Sequence, residues 1–239
     1  MSRLIGYEQF AELFAKGGME VGEEMYRRFE RYADLLVEWN EKINLTAITD
    51  PEGIAEKHFY DSVYPFVLAE GGFGNMIDVG TGAGFPSVPL MIWQGGFRLT
   101  MLDSLNKRIN FLNTVADELG LEAECIHGRA EEAGRKAELR EQFDAATARA
   151  VANLRDLSEY CLPFVKVGGC FYALKGRDGE AELKEARSAV KILGGEVADV
   201  KSYSLPSGDS RVLIVIRKVK PMDRKFPRNA GQMKKNPLK

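Results

Sequence analysis

The sequence predicts an α/β fold: a doubly wound, mostly parallel sheet finished by an antiparallel last strand and preceded by a helical N-terminal segment. Three observations carry this reading. Strand-length apolar runs alternate with helix-length amphipathic stretches through most of the 239 residues. One such run, Met76-Ile77-Asp78-Val79, enters a bend with glycine at every second position, Gly80, Gly82 and Gly84. The last two runs, Glu196–Tyr203 and Ser210–Lys218, are joined through the turn Pro206-Ser207-Gly208-Asp209 rather than a helix, so they pair antiparallel.

Each element has a local reason. Met25, Phe29, Tyr32, Leu36 and Trp39 repeat at four and three residues, the apolar stripe of a helix whose other side carries Arg28, Arg31 and Glu38. After the glycine bend, Val88, Leu90, Met91, Ile92 and Trp93 begin a helix, and Arg98–Asp103 reads as a second strand ending in an acid. Leu105, Ile109, Leu112, Ala116 and Leu119 form the next helical stripe, leading to a strand over 122–127. Further strands are expected at 143–148, 169–174 and 210–217, with helices near 154–162 and 180–193. Strands joined by such helices pair in parallel through right-handed crossovers, and ligands then lie outside their carboxyl ends. With 45% hydrophobic residues the chain can bury one sizeable core. The expected organisation is a helical segment over 1–70 packed on a core over 71–219, then a basic tail over 220–239.

Composition narrows the classes. No apolar run reaches the roughly 20 residues of a membrane span, and the N-terminus lacks a signal peptide's apolar centre, so a cytoplasmic protein is expected. Cys125, Cys161 and Cys170 are odd in number and widely spaced, which supports neither a zinc site nor a disulfide framework. The net charge of −2 hides an asymmetry: residues 217–239 hold nine Lys or Arg against one acid, leaving about −10 before them. Pro221, Pro227 and Pro237 keep this tail from forming a long helix. It reads either as a solvated end or as an arm lying along phosphates.

The glycine spacing discriminates among cofactors. A dinucleotide fingerprint needs G-x-G-x-x-G, but the third place is Phe85 from Gly80 and Ser87 from Gly82. A pyrophosphate is poorly served. Asp78, closing the first strand, instead suits a cofactor with an amino group and a sulfonium charge, and S-adenosylmethionine is the expected cofactor. Asp103, 19 residues beyond Gly84, stands where a carboxylate binds ribose hydroxyls, and Ser104 after it argues against a 2′-phosphate. Asp78 as a solvated strand end and Asp103 as a helix N-cap are the structural alternatives.

Beyond the bend, Trp39-Asn40-Glu41-Lys42-Ile43-Asn44-Leu45-Thr46, Lys57-His58-Phe59-Tyr60-Asp61-Ser62, Asp78 through Pro86, Arg149-Ala150-Val151-Ala152, and Phe226-Pro227-Arg228 with Gly231 and Pro237-Leu238 together resemble the ribosomal small-subunit methyltransferase G family, long called glucose-inhibited division protein B. The resemblance runs from about residue 25 to the C-terminus. It implies a Rossmann-like class I S-adenosylmethionine-dependent methyltransferase that modifies N7 of one guanine in 16S ribosomal RNA, as naked RNA or in the small subunit; a monomer without metal is expected. It further implies that Gly80 and Phe85 border the methionine and ribose, with Gly82 and Gly84 completing the loop. Asp103 and Ser104 would meet the ribose, Ala130 and Glu131 of the Gly128–Glu131 turn the adenine. Arg149 would sit where cofactor and base approach. Thr81 and Ser87 depart from the family's more frequent serine and glycine, and Ser87 puts in question how closely the helix start approaches a ligand.

The acceptor chemistry is consistent. Guanine N7 offers an in-plane lone pair and no proton, so alignment suffices and no general base is required. An N-P-P-Y motif and a Pro-Cys nucleophile are both missing after the fourth strand, and Cys161 is followed by Leu162-Pro163. Arg149, His58 and Asp61 are the positioning candidates; His58 and Asp61, three apart, would share a helical face, as a surface pair or, given the resemblance, lining the guanine pocket. His127 is expected to be structural. Asn44, Lys57, His58, Lys175, Arg224, Lys225, Arg228, Lys234 and Lys235 are the candidates for RNA contact. Deleting 221–239 is expected to weaken RNA methylation and leave S-adenosylmethionine binding nearly intact. A small-molecule methyltransferase and a non-catalytic RNA-binding protein remain alternatives; a dehydrogenase is disfavoured by the glycine spacing.

Overall fold

The computed structural model describes residues 3–238; Met1, Ser2 and Lys239, the last of these counted among the tail's cations, lie outside the described residues. Seven strands form one sheet in the order β3-β2-β1-β4-β5-β7-β6. They are β1 (Asn75–Val79), β2 (Arg98–Asp103), β3 (Ala123–His127), β4 (Phe143–Arg149), β5 (Val165–Gly176), β6 (Gly195–Ser204) and β7 (Ser210–Lys218). The first five pair in parallel, and β7 enters antiparallel between β5 and β6. The order reverses at β1 and β4, so their carboxyl ends diverge and leave the crevice in which such sheets bind ligands.

Helices cover both faces. On one face lie α1 (Tyr7–Ala15), α2 (Glu23–Asn40), a helical run of α3 (Pro51–Gly53), a π-turn over Ile54–Tyr60 and α4 (Asp61–Ala69), with α5 (Ser87–Trp93) and α6 (Asn106–Leu119). Phe10, Phe14, Phe29, Tyr32 and Phe59 are fully buried there and share one apolar cluster with Met76, Leu99, Ala145 and Leu213 of the sheet. At roughly 1.5–3 kcal/mol for each large side chain withdrawn from water, this burial makes the N-terminal helices part of the fold. The opposite face packs α7 (Ala130–Ala133), α8 (Leu154–Cys161) and α9 (Gly179–Ile192) over Ile77, Ala146, Phe171 and Ile214.

The tail is not a free arm. It crosses this second face, buries Met222, Phe226 and Met233, and forms the short helix α10 (Ala230–Lys235), opened by a capping box between Asn229 and Gln232. Its proline-broken sequence holds this path because Arg135 and Arg140 donate to its backbone carbonyls: Arg140 to Phe226 at 2.9 Å and Met222 at 3.0 Å, Arg135 to Lys225 at 3.1 Å. None of the described helices is long and apolar enough to cross a membrane.

Candidate active site

Strand β1 delivers Asp78 and Val79 to the bend, where Gly80 lies at φ 70° and Gly84 at φ 94°, a region L side chains avoid. Space excludes a side chain as well. A Cβ at Gly80 would stand 2.9 Å from Val151, and one at Gly84 would stand 2.8 Å from the Tyr32 hydroxyl. That hydroxyl donates to the Ala83 carbonyl, so helix α2 braces the bend from below. Gly84 therefore serves packing against the helices and is absent from the lining of the neighbouring crevice.

Asp78 is fully buried rather than a solvated strand end. One of its oxygens accepts from Thr81 Oγ1 at 2.8 Å and Ser87 Oγ at 2.6 Å, while the other has no partner among the described residues. Burial pushes its carboxyl up to about 7, against the opposing pull of the two hydroxyls and of Arg149. Ser87 thus adds a hydroxyl to the carboxylate that a glycine at 87 would leave less satisfied, while Thr81 keeps the hydroxyl that a serine would supply. Asp103, also buried, ties the loops together; its carboxylate accepts from the Gly82 amide at 2.9 Å and the Leu105 amide at 2.9 Å.

These elements enclose a crevice of about 720 Å³, counted to its open mouth. Gly80, Asp103, Ser104, Ala130 and Glu131 line it together, five of the residues the sequence singled out. Val151 joins them, and Tyr160 of α8 and Ala230 of the tail, which escaped sequence reasoning, also line it. Asp78, Gly82 and Phe85 stand behind this wall. Gly80 backbone without a Cβ and the Asp103 and Glu131 carboxylates in the lining fit a cationic nucleoside cofactor of the S-adenosylmethionine type.

A second crevice, about 870 Å³ to its mouth, opens on the other side of the turn after β4. Val151 and Ala152 face the first crevice, Arg149 and Ala150 the second, and Ala150 holds φ 57°, a strained backbone for a residue with a Cβ. Lys57, His58, Asp61, Lys175 and Arg211 line it with Arg149. The Arg149 guanidinium lies 4.9 Å over the Phe85 ring, 3.8 Å from Asp61 and 3.2 Å from the Lys57 carbonyl. Phe85 in turn stacks on His58 at 4.4 Å and an interplanar angle of 12°.

His58 and Asp61 do share this crevice, but as parts of two networks rather than as a pair. His58, on the π-turn, meets Thr46 Oγ1 at 2.7 Å through Nε2, and its Nδ1 has no partner among the described residues. Burial, then the nearby Arg149, lowers its pKa to about 3, so the ring is neutral. Asp61 is held by Arg211 at 2.9 Å and by Tyr203 at 3.3 Å. Arg211 carried no sequence signal, because it sits 150 residues away on β7.

Two of the expected RNA contacts have partners within the protein. Lys175 is buried against Glu182 at 2.8 Å and the Ala152 carbonyl at 2.9 Å. Arg228 pairs with Glu159, forming Nη2–Oε2 and Nε–Oε1 bonds of 2.7 and 2.9 Å. Lys57 is half-buried and pairs with Asp209 at 3.2 Å, while Asn44, Arg224, Lys225, Lys234 and Lys235 are exposed. His127 Nε2 donates to the Ser104 carbonyl, 3.1 Å away, outside both crevices. Among the described residues no cluster of three His, Cys, Asp or Glu could hold a metal.

Comparison with known proteins agrees with this geometry. The chain is similar to an O-methyltransferase from Bacillus cereus in complex with SAH, with a TM-score of 0.55 at 16% identity over 79% of this chain and 91% of that one. A putative O-methyltransferase from Klebsiella pneumoniae gives 0.57 at 11% identity, covering 89% and 99%. At such identities the likeness shows the fold, that of class I methyltransferases. Sequence relatives are much nearer: the ribosomal RNA small subunit methyltransferase G of Clostridium perfringens strain 13 is 48% identical over 97% of this chain and 100% of its own. That of Exiguobacterium sibiricum is 47% identical over 97% and 98%. The family model described as rRNA small subunit methyltransferase G matches residues 25–213, and the chain belongs to that family.

Proposed function

We propose that the protein transfers a methyl group from S-adenosylmethionine to N7 of a guanine in 16S ribosomal RNA, as a monomeric cytoplasmic enzyme. The observation that carries this reading is the meeting of two crevices across the turn over 149–152: one lined by glycine backbone and the Asp103 and Glu131 carboxylates, the other by cations and a neutral imidazole. S-adenosylmethionine bound in the first supplies an electrophilic methyl on a sulfonium, held by Asp103, Ser104, Ala130 and Glu131 around the nucleoside.

The acceptor side asks for alignment alone, since N7 carries no proton to remove. His58 meets that need as a neutral ring stacked on Phe85, with a free Nδ1 and no charge to repel a base that becomes cationic. Arg149 is fixed on three sides by Phe85, Asp61 and the Lys57 carbonyl, so it defines the border between donor and acceptor without reorganising. Asp61 supplies a compensating negative charge, itself oriented by Arg211. For the RNA backbone, Lys57 in the acceptor crevice and the exposed Asn44, Arg224, Lys225, Lys234 and Lys235 are the groups on offer.

The test incubates the protein and methyl-labelled cofactor with small subunits that lack the modification, then maps the label. Label on guanine N7 is expected. Label confined to another position, or to a soluble metabolite, overturns the assignment.

A further inference from the structure

The tail reaches the cofactor crevice, and two of its attachments adjoin the elements that form the crevice wall. Glu159 is 1% exposed, and a carboxylate so deeply placed requires a partner; Arg228 provides one with two bonds, while the Arg228 amide donates to the same carboxylate at 2.7 Å. Glu159 directly precedes Tyr160, which lines the crevice. The second attachment is Arg135, which follows α7 and donates to the Lys225 carbonyl at 3.1 Å and to that of Pro227. Helix α7 contributes Ala130 and Glu131 to the same wall. Arg228 Nη1 also reaches the Asn236 carbonyl at 2.6 Å, closing the tail's last helix into a loop whose first residue, Ala230, lines the crevice itself.

We infer that residues 222–236 form a clasp that joins α7 to α8 and builds one wall of the S-adenosylmethionine crevice, with Glu159 and Arg228 as its positioning pair. This rests on the placement of the cofactor proposed above, and it replaces the expectation that the tail is dispensable for cofactor binding. Tying both elements to one segment, α8 through the Glu159–Arg228 ion pair and α7 through the Arg135 hydrogen bonds to tail carbonyls, fixes their separation, and the separation of α7 from α8 is the width of the crevice. Ala230 is exposed, so its side chain bears on the crevice without supporting the core.

The experiment is calorimetric titration of S-adenosylmethionine into full-length protein without RNA, for wild type, A230W, E159Q and D103A, with melting temperature recorded for each. A230W is expected to raise Kd at least about tenfold, the worth of one lost favourable contact to a charged group, with melting temperature unchanged because the site is exposed. E159Q is expected to raise Kd and the cofactor KM several-fold while leaving kcat on RNA nearly unchanged, a split that simple loss of folded enzyme does not produce. Wild-type Kd in A230W together with a raised Kd in D103A overturns the clasp and leaves the cofactor site standing. Wild-type Kd in all three variants overturns the placement of the cofactor, and the clasp with it.

Discussion

The two crevices on either side of the turn after β4 are built by opposite means. The donor side is mostly backbone and short side chains held by local hydrogen bonds: Gly80, Ser104 and Ala130 around Asp103, whose carboxylate grips the amides of the adjoining loops. The acceptor side is long side chains held by charge: Arg149, Asp61, Arg211, Lys175 and Glu182, gathered from the N-terminal helices, β4, β5, α9 and β7. A nucleoside cofactor is small and always the same, so a rigid backbone mould suits it. A guanine turned out of folded RNA arrives with unstacking to offset and a polyanion attached, so fixed charges suit it better.

This contrast can be broken, and the largest test is at its border. Arg149→Met keeps the stem against Phe85 and removes the charge, leaving Asp61 with Arg211 as its one cation. The expected loss in RNA methylation is about 100-fold, the scale of one preorganised electrostatic contact, with cofactor Kd within about threefold by titration. Equal losses in both would show that the two sides are one site. Conversely, Asp103→Asn weakens the grip on the Gly82 amide and should raise cofactor Kd about tenfold, as for a hydrogen bond to a charged group, while retention of RNA in a gel-shift assay stays at the wild-type level.

Two buried groups sharpen the comparison through pH. His58, lowered from 6.5 to about 3, contributes stability that is complete above pH 6.5 and is lost as pH falls toward 3. Asp78, raised from 3.8 to about 7, contributes stability that is complete below pH 3.8 and is lost as pH rises toward 7. Urea-unfolding free energies of wild type against D78N should therefore diverge with a slope of up to ~1.4 kcal/mol per pH unit between these limits, and run parallel above pH 7. Against H58Q the slope should have the opposite sign and vanish above pH 6.5. The smallest effect belongs to Thr46→Val, which takes away the His58 Nε2 partner at a cost of about 1 kcal/mol in unfolding free energy and leaves cofactor Kd unchanged.

Legibility in the sequence follows the same division. Crossover topology places strand ends predictably, so Gly80, Asp103 and the Gly128–Glu131 turn were readable from spacing and resemblance, as was the alternation of strands and helices up to the final antiparallel pair. Arg211 and Glu182 were not, because their place in the acceptor crevice depends on register across β5, β7 and α9, which no local pattern announces. The tail misled for a different reason. Its count of cations dominated the reading, whereas Met222, Phe226 and Met233, spaced by four and seven, were the apolar anchors of a docked segment. Charge in a terminal stretch says little about freedom when its arginines have carboxylates and carbonyls to satisfy.

The Tyr32 hydroxyl under the glycine bend makes the first third of the chain a jig for the motif. A chimera that borrowed only residues 75–219 would inherit every letter of the bend and lose the surface on which it is shaped. Alanine at 84 would strain the backbone at φ 94° and meet Val88 at 2.7 Å as well as the Tyr32 hydroxyl at 2.8 Å, so a shorter residue at 32 would not by itself make room for it.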